Sequence, residues 1–107
     1  MSGFVKVASR SDIDEGQLMA VAANGTEIVL ARVDGELFAL DALCSHAHGY
    51  LDQGWLEGST IVCPLHAGSF DLRTGAPVAA PCDTPVRVYR VKVEGDDILI
   101  DVSKANP

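Results

Sequence analysis

The chain has 107 residues, 48% of them hydrophobic and 21% charged, which fits one folded domain and excludes a disordered chain. Fifteen acidic residues against eight basic ones give a formal net charge of −7. That balance speaks against nucleic acid and against an anionic membrane surface as partners, since both need clustered Lys and Arg.

No apolar run approaches the ~20 residues of a membrane span. The N-terminal MSGFVKVASRSD lacks the apolar core of a secretory signal, so the chain reads as cytoplasmic. In chain order, Ser11 to Glu15 resembles a short helix with Ser11 as N-cap, ended by Gly16. Asn24-Gly25 separates QLMAVAA from TEIVLARV, and Asp34-Gly35 separates that run from ELFALD. Both pairs predict two-residue hairpin turns. Between 43 and 85 the apolar alternation weakens and Gly and Pro become frequent, which predicts loops around a short hairpin. Its strands are expected at Gly54 to Leu56 and Thr60 to Cys63, joined by Glu57-Gly58-Ser59. Near the end, Gly95-Asp96 separates VRVYRVKV from DILIDV, where Ile98, Ile100 and Val102 alternate as in a half-buried strand. Val86 and Val88 point one way, while Val91 and Val93 resume one residue out of phase. Either a bulge near Tyr89-Arg90 or an edge position accounts for this. The pattern as a whole predicts an all-β, antiparallel, closed or sandwich-like domain.

The chemistry concentrates in CSHAHGYLDQGWLEGSTIVCPLH, residues 44 to 66, which holds two of the three cysteines and all three histidines. An odd cysteine count in a reducing compartment points to metal binding or free thiols, not to a disulfide framework. The residues form two mixed pairs, Cys44-x-His46 and Cys63-x-x-His66. Thiolate and imidazole together select zinc or an iron–sulfur centre. A structural zinc site commonly pairs Cys with Cys and His with His. A two-iron centre instead accepts Cys₂ on one iron and His₂ on the other, so two loops that each give one of both suit it. A structural zinc module acting as a binding domain stands as the competing reading.

Cys44-x-His46, a gap of sixteen residues and Cys63-Pro64-x-His66 resemble the Rieske [2Fe-2S] motif. Gly49 and Leu51 after the first pair, Gly68-x-Phe70-Asp71 and Thr74-Gly75 after the second, and Pro81 in the place of a shielding third loop extend the likeness along the chain. The resemblance implies that Cys44 and Cys63 bind an inner iron, and His46 and His66 an outer one. It also implies a Rieske-like all-β fold of three stacked antiparallel sheets: a single domain over 1–107, with a cluster-binding subdomain at about 43–85. The oxidised centre is then neutral by formal charge, as suits a carrier that takes up one electron. The implied function is that of a small ferredoxin, taking an electron from a flavin-dependent reductase to a terminal ring-hydroxylating oxygenase. Such a chain is no enzyme: once His46 and His66 bind the cluster only His48 remains, too few for a two-His-one-carboxylate iron site. A small Rieske-type subunit of a nitrite-reductase-like enzyme is the second reading on the same fold.

High-potential members of the family carry a disulfide at the positions of Gly49 and Leu65, and Ser and Tyr hydroxyls at those of Gly68 and Phe70. Neither is present, and Ser69 is one position off, so a low potential is expected within the roughly −150 to +300 mV span of this cluster type. His48 reads as a loop residue near the surface, a Cys44-x₃-His48 ligand pair being the alternative. Ala67 replaces the Gly that commonly follows the second ligand His. Cys82 reads as a buried, inert side chain, and Trp55 as packing rather than docking. Asp52, Glu57 and Asp71 are either a docking face or solvated turn residues. A monomer is expected.

Overall fold

Asn24 and Gly25 have φ of 49° and 81°, and Asp34 and Gly35 have 53° and 76°. Two successive left-handed residues form the turn whose twist matches that of paired strands, so both expected hairpins close there. The computed structural model describes residues 3–43, 50–64, 68–79 and 85–106. Its strands are β1 (Phe4–Ser9), β2 (Leu18–Ala23), β3 (Thr26–Val33), β4 (Glu36–Asp41), β5 (Trp55–Glu57), β6 (Thr60–Val62), β7 (Ser69–Asp71), β8 (Pro77–Ala79), β9 (Val88–Glu94) and β10 (Asp97–Asn106). The all-β antiparallel class holds.

The strands form two sheets, ordered β1-β10-β9-β4-β3-β2 and β5-β6-β7-β8. The larger sheet curls until its two edge strands, β1 and β2, lie against each other. One core fills the curl, around Ile28, Leu30, Ala39, Ile98 and Ile100. The other lies between the back of β3–β4 and the small sheet, around Val29, Leu40, Leu51, Ile61, Phe70 and Val86. The three stacked sheets of the resemblance are thus two hydrogen-bonded sheets. Pairing runs unbroken from β4 to β9, through Ala39 with Tyr89 and Leu40 with Val88, so the third layer belongs to the same sheet. β3 is covered on both faces, which explains why Ile28, Val29, Leu30 and Ala31 are consecutive and all fully buried.

The phase change in β9 has the same cause. Val86 and Val88 face the core under the small sheet, whereas Tyr89 and Val91 face the core inside the curl. The strand alternates regularly and only its buried face changes. A register shift does occur opposite Tyr89 and Arg90, but the extra residues are in β10: Arg90 pairs with Asp101, and Tyr89 with Ala105.

Two expected elements are displaced. Instead of a helix over Ser11 to Glu15 there is one 3-10 turn, Arg10–Asp12, preceded by Ser9. The Asp12 carboxylate accepts the Ser9 N–H at 3.0 Å, and the Arg10 N–H donates to Asp96 O at 2.7 Å, which ties the turn to the β9–β10 hairpin. The short hairpin closes at Glu57 paired with Thr60, where the Thr60 hydroxyl donates to Glu57 O at 2.7 Å. Only Gly58 and Ser59 are left for the turn, and the first strand runs one residue later than expected.

Candidate metal centre

Three segments, 44–49, 65–67 and 80–84, lie outside the described residues, and their ends are tied together. Leu43 and Tyr50 form a β-bridge across the first, and the Leu51 N–H donates to Ala42 O at 2.7 Å. The chain then makes a 3-10 turn, Leu51–Gln53, and presses Gly54 onto β6. A Cβ on Gly54 would sit 1.8 Å from Val62 O, so only glycine fits. Val62 leads into Cys63, whose N–H donates to Gly68 O at 2.7 Å across the base of the second segment. Ser69 pairs with Val62 on one side and with Ala79, which leads into the third segment, on the other. Beyond the third segment, the Val86 N–H donates to Gly75 O at 3.0 Å. Gly75 has φ of 76° and no room for a Cβ against Val86 O, which accounts for the Thr74-Gly75 signal.

Of the four expected ligands, Cys63 lies among the described residues. It is 1% exposed and belongs to the same apolar cluster as Ala42, Leu51 and Phe70. A thiolate there, away from water, is costly unless a cation neutralises it, which suits the inner-iron position of a Cys₂/His₂ centre. Cys44, His46 and His66 fall outside the described residues, as do His48, Gly49, Leu65, Ala67, Pro81 and Cys82. Among the described residues no group of three or more His, Cys, Asp and Glu side chains comes together to hold a metal, so no rival site arises there.

Phe70 is fully buried in the cluster that contains Cys63 and brings no hydroxyl to it. Ser69 alternates with Phe70 along β7 and so faces the opposite side of the small sheet. The Asp71 carboxylate accepts the N–H groups of Arg73 at 2.7 Å and Thr74 at 3.3 Å, so Asp71 is a turn residue. Trp55 departs from the packing expectation. It is 45% exposed, and its indole N–H donates to Glu57 at 2.8 Å. β5 is an edge strand whose Leu56 takes the core-facing position, so Trp55 and Glu57 share the outer face.

One group of residues has no sequence signal. Asp41 at the end of β4 accepts the Tyr89 hydroxyl at 2.6 Å and the Arg87 Nε–H at 3.0 Å, and the Asp41 N–H donates to Arg87 O at 2.9 Å. The Tyr89 pKa is pushed up to about 12, first by burial and then by this hydrogen bond. Arg87 is held above its usual range by the same carboxylate. The trio braces the strand entering segment 44–49 against the strand leaving segment 80–84. Asp41 and Tyr89 are 48 residues apart, so only the fold makes them neighbours.

A family model described as a Rieske [2Fe-2S] domain matches residues 3–90. The ferredoxin component of a naphthalene 1,2-dioxygenase system from Pseudomonas putida is 40% identical over 100 residues, which cover 94% of this chain and 96% of that one. The ferredoxin of carbazole 1,9a-dioxygenase from Nocardioides aromaticivorans superposes with a TM-score of 0.87 at 44% identity, over 91% of this chain and 95% of that one. A complex of reduced oxygenase and oxidised ferredoxin in carbazole 1,9a-dioxygenase also matches, with a TM-score of 0.87 at 30% identity and 94% coverage of each chain. The mixed Cys/His pairs, the joined loop bases and the family match over most of the chain agree, and the chain belongs to the Rieske [2Fe-2S] domain family.

Proposed function

We propose that this chain is the ferredoxin component of an aromatic-ring dioxygenase system, carrying one electron at a time from a flavin-dependent reductase to a terminal oxygenase. The observation that carries the reading is Cys63, 1% exposed where the joined loop bases meet, in a chain 40% identical to a naphthalene dioxygenase ferredoxin. The ligands are Cys44 and Cys63 on the inner iron and His46 and His66 on the outer one. When bound, a [2Fe-2S] cluster supplies a one-electron couple. The chain does the rest: the apolar cluster around Cys63 keeps water from the thiolate side, and the backbone ties at the loop bases fix the spacing of the ligand pairs. The chain is an electron-transfer component and not itself an enzyme.

The oxygenase partner is supported by the carbazole system, in which a ferredoxin and its oxygenase form a complex. The reductase, a monomeric state and a cytoplasmic location complete the proposal; among the described residues no helix is long and apolar enough to cross a membrane. The nitrite-reductase-like reading gives way, because relatives at about this identity are dioxygenase ferredoxins. Protein prepared anaerobically with ample iron is expected to contain iron and acid-labile sulfide in equal amounts. After dithionite reduction its low-temperature EPR spectrum should have an average g below that of all-Cys clusters. Zinc without sulfide would overturn the proposal in favour of a structural zinc module.

A further inference from the structure

Resting on the ferredoxin reading above, we infer that Trp55 and Asp52 form a docking notch that takes an arginine side chain from a protein electron-transfer partner. Trp55 is the chain's one tryptophan and is 45% exposed, on the outer face of an edge strand. Glu57 accepts the indole N–H at 2.8 Å, which fixes the ring and adds negative potential beside it. An open notch of roughly 400 Å³ is lined by Trp55, Asp52 and Gly16, and a Cβ on Gly16 would meet no heavy atom within 4 Å, so nothing crowds it there. The Asp52 carboxylate makes no hydrogen bond or ion pair with any described residue.

An aromatic face beside a carboxylate is what a guanidinium recognises: the plane stacks on the ring while the N–H groups point at the oxygens. Arginine suits the notch better than lysine because its flat cation makes both contacts at once. Asp52 also borders the next concavity, lined by Tyr50 and Glu27, and neither concavity is lined by any Lys or Arg. Among the described residues lining the two concavities the charged side chains are Asp52 and Glu27, both acidic, which suits a cationic partner face and a chain of net charge −7. The notch also borders the site. Trp55 pairs with Val62, the residue before Cys63, and exposed Leu43 and Tyr50 flank segment 44–49.

The test uses the cluster-loaded chain with a reductase and terminal oxygenase that the wild type connects. Trp55→Leu and Asp52→Asn are each expected to raise the KM for the chain in one of the two half-reactions about two- to fivefold. The kcat, reduction potential and EPR spectrum should stay unchanged, and Asp52→Asn should flatten the dependence of KM on salt. Asp52 is partly exposed, so its variant tests the inference even if Trp55→Leu folds poorly. With 5-fluorotryptophan in place of Trp55, the single ¹⁹F resonance should move on titration with that partner. Unchanged KM values and an unmoved resonance, with a wild type that transfers electrons, overturn the notch. A cluster-loaded wild type that connects no reductase to any oxygenase instead overturns the ferredoxin reading.

Discussion

At the scale of single residues, Cys63 and Phe70 make the strongest claims because both are buried in one apolar cluster. Cys63→Ser replaces the proposed soft ligand by a weak one, and the purified variant is expected to hold little iron and to lose the visible absorption. His66→Cys shifts ligation toward all-thiolate, so any cluster that assembles should have a lower potential. An unchanged potential and spectrum would show that His66 is no ligand. Phe70→Tyr works in the other direction. It puts a hydroxyl on a ring buried in the same apolar cluster as Cys63, and a donor to the reduced centre stabilises the added negative charge. A hydrogen bond to a charged group contributes about 1.5–3 kcal/mol. For one electron that is a rise of roughly 60–130 mV. Film voltammetry of the two proteins under one buffer decides it.

At the scale of elements, the loop bases depend on contacts that tolerate little change. Gly54→Ala drives a methyl into Val62 O, and since that oxygen is backbone, β5 and β6 must separate. A loss of about 2–3 kcal/mol is expected from such overpacking, read from a urea transition, with reduced cluster occupancy. The Asp41–Tyr89 bond gives a pH-dependent element. Tyr89 keeps its proton more tightly when folded, with a pKa of about 12 against about 10 in an unfolded chain. Its contribution is therefore complete below pH 10 and disappears as pH rises from 10 toward 12. Tyr89→Phe should destabilise the protein by about 1.5–3 kcal/mol at neutral pH, and the gap between variant and wild type should close through that alkaline window. These contacts also mark the limit of what the sequence reveals. Turn residues and period-two alternation announce the hairpins and the all-β class, because both are local. The four-ligand motif is legible because each ligand pair is short and its chemistry is specific. The change of buried face along β9, the Asp41–Arg87–Tyr89 brace and the exposure of Trp55 depend on which strands become neighbours, and no local pattern records that. Asp71 and Glu57 look alike in the sequence, yet one holds a turn and the other holds an indole.

At the scale of the whole molecule, the two cores have different relations to the metal centre. The core inside the curl draws on β1, β2, β3, β4, β9 and β10 and does not include Cys63, the expected ligand among the described residues. The other includes Cys63 and is closed by a sheet whose four strands are each three residues long. Strands so short give few ladder hydrogen bonds, so the small sheet relies on its apolar face and on the loops joined at its end. Metal binding adds to folding free energy wherever the ligands come from separate segments, and the proposed ligands flank β5 and β6. Removing iron should therefore loosen the molecule unevenly. Amide exchange is expected to rise by an order of magnitude or more in β5 to β8 and at Ala42 and Leu51. It should stay slow at Ile28, Leu30, Ile98 and Ile100, whose protection follows the large sheet. Hydrogen exchange measured by mass spectrometry on holo and apo protein at matched pH separates the alternatives. An equal loss of protection in both sheets would mean that the centre supports the whole fold and that the cluster-binding part is not a separable unit.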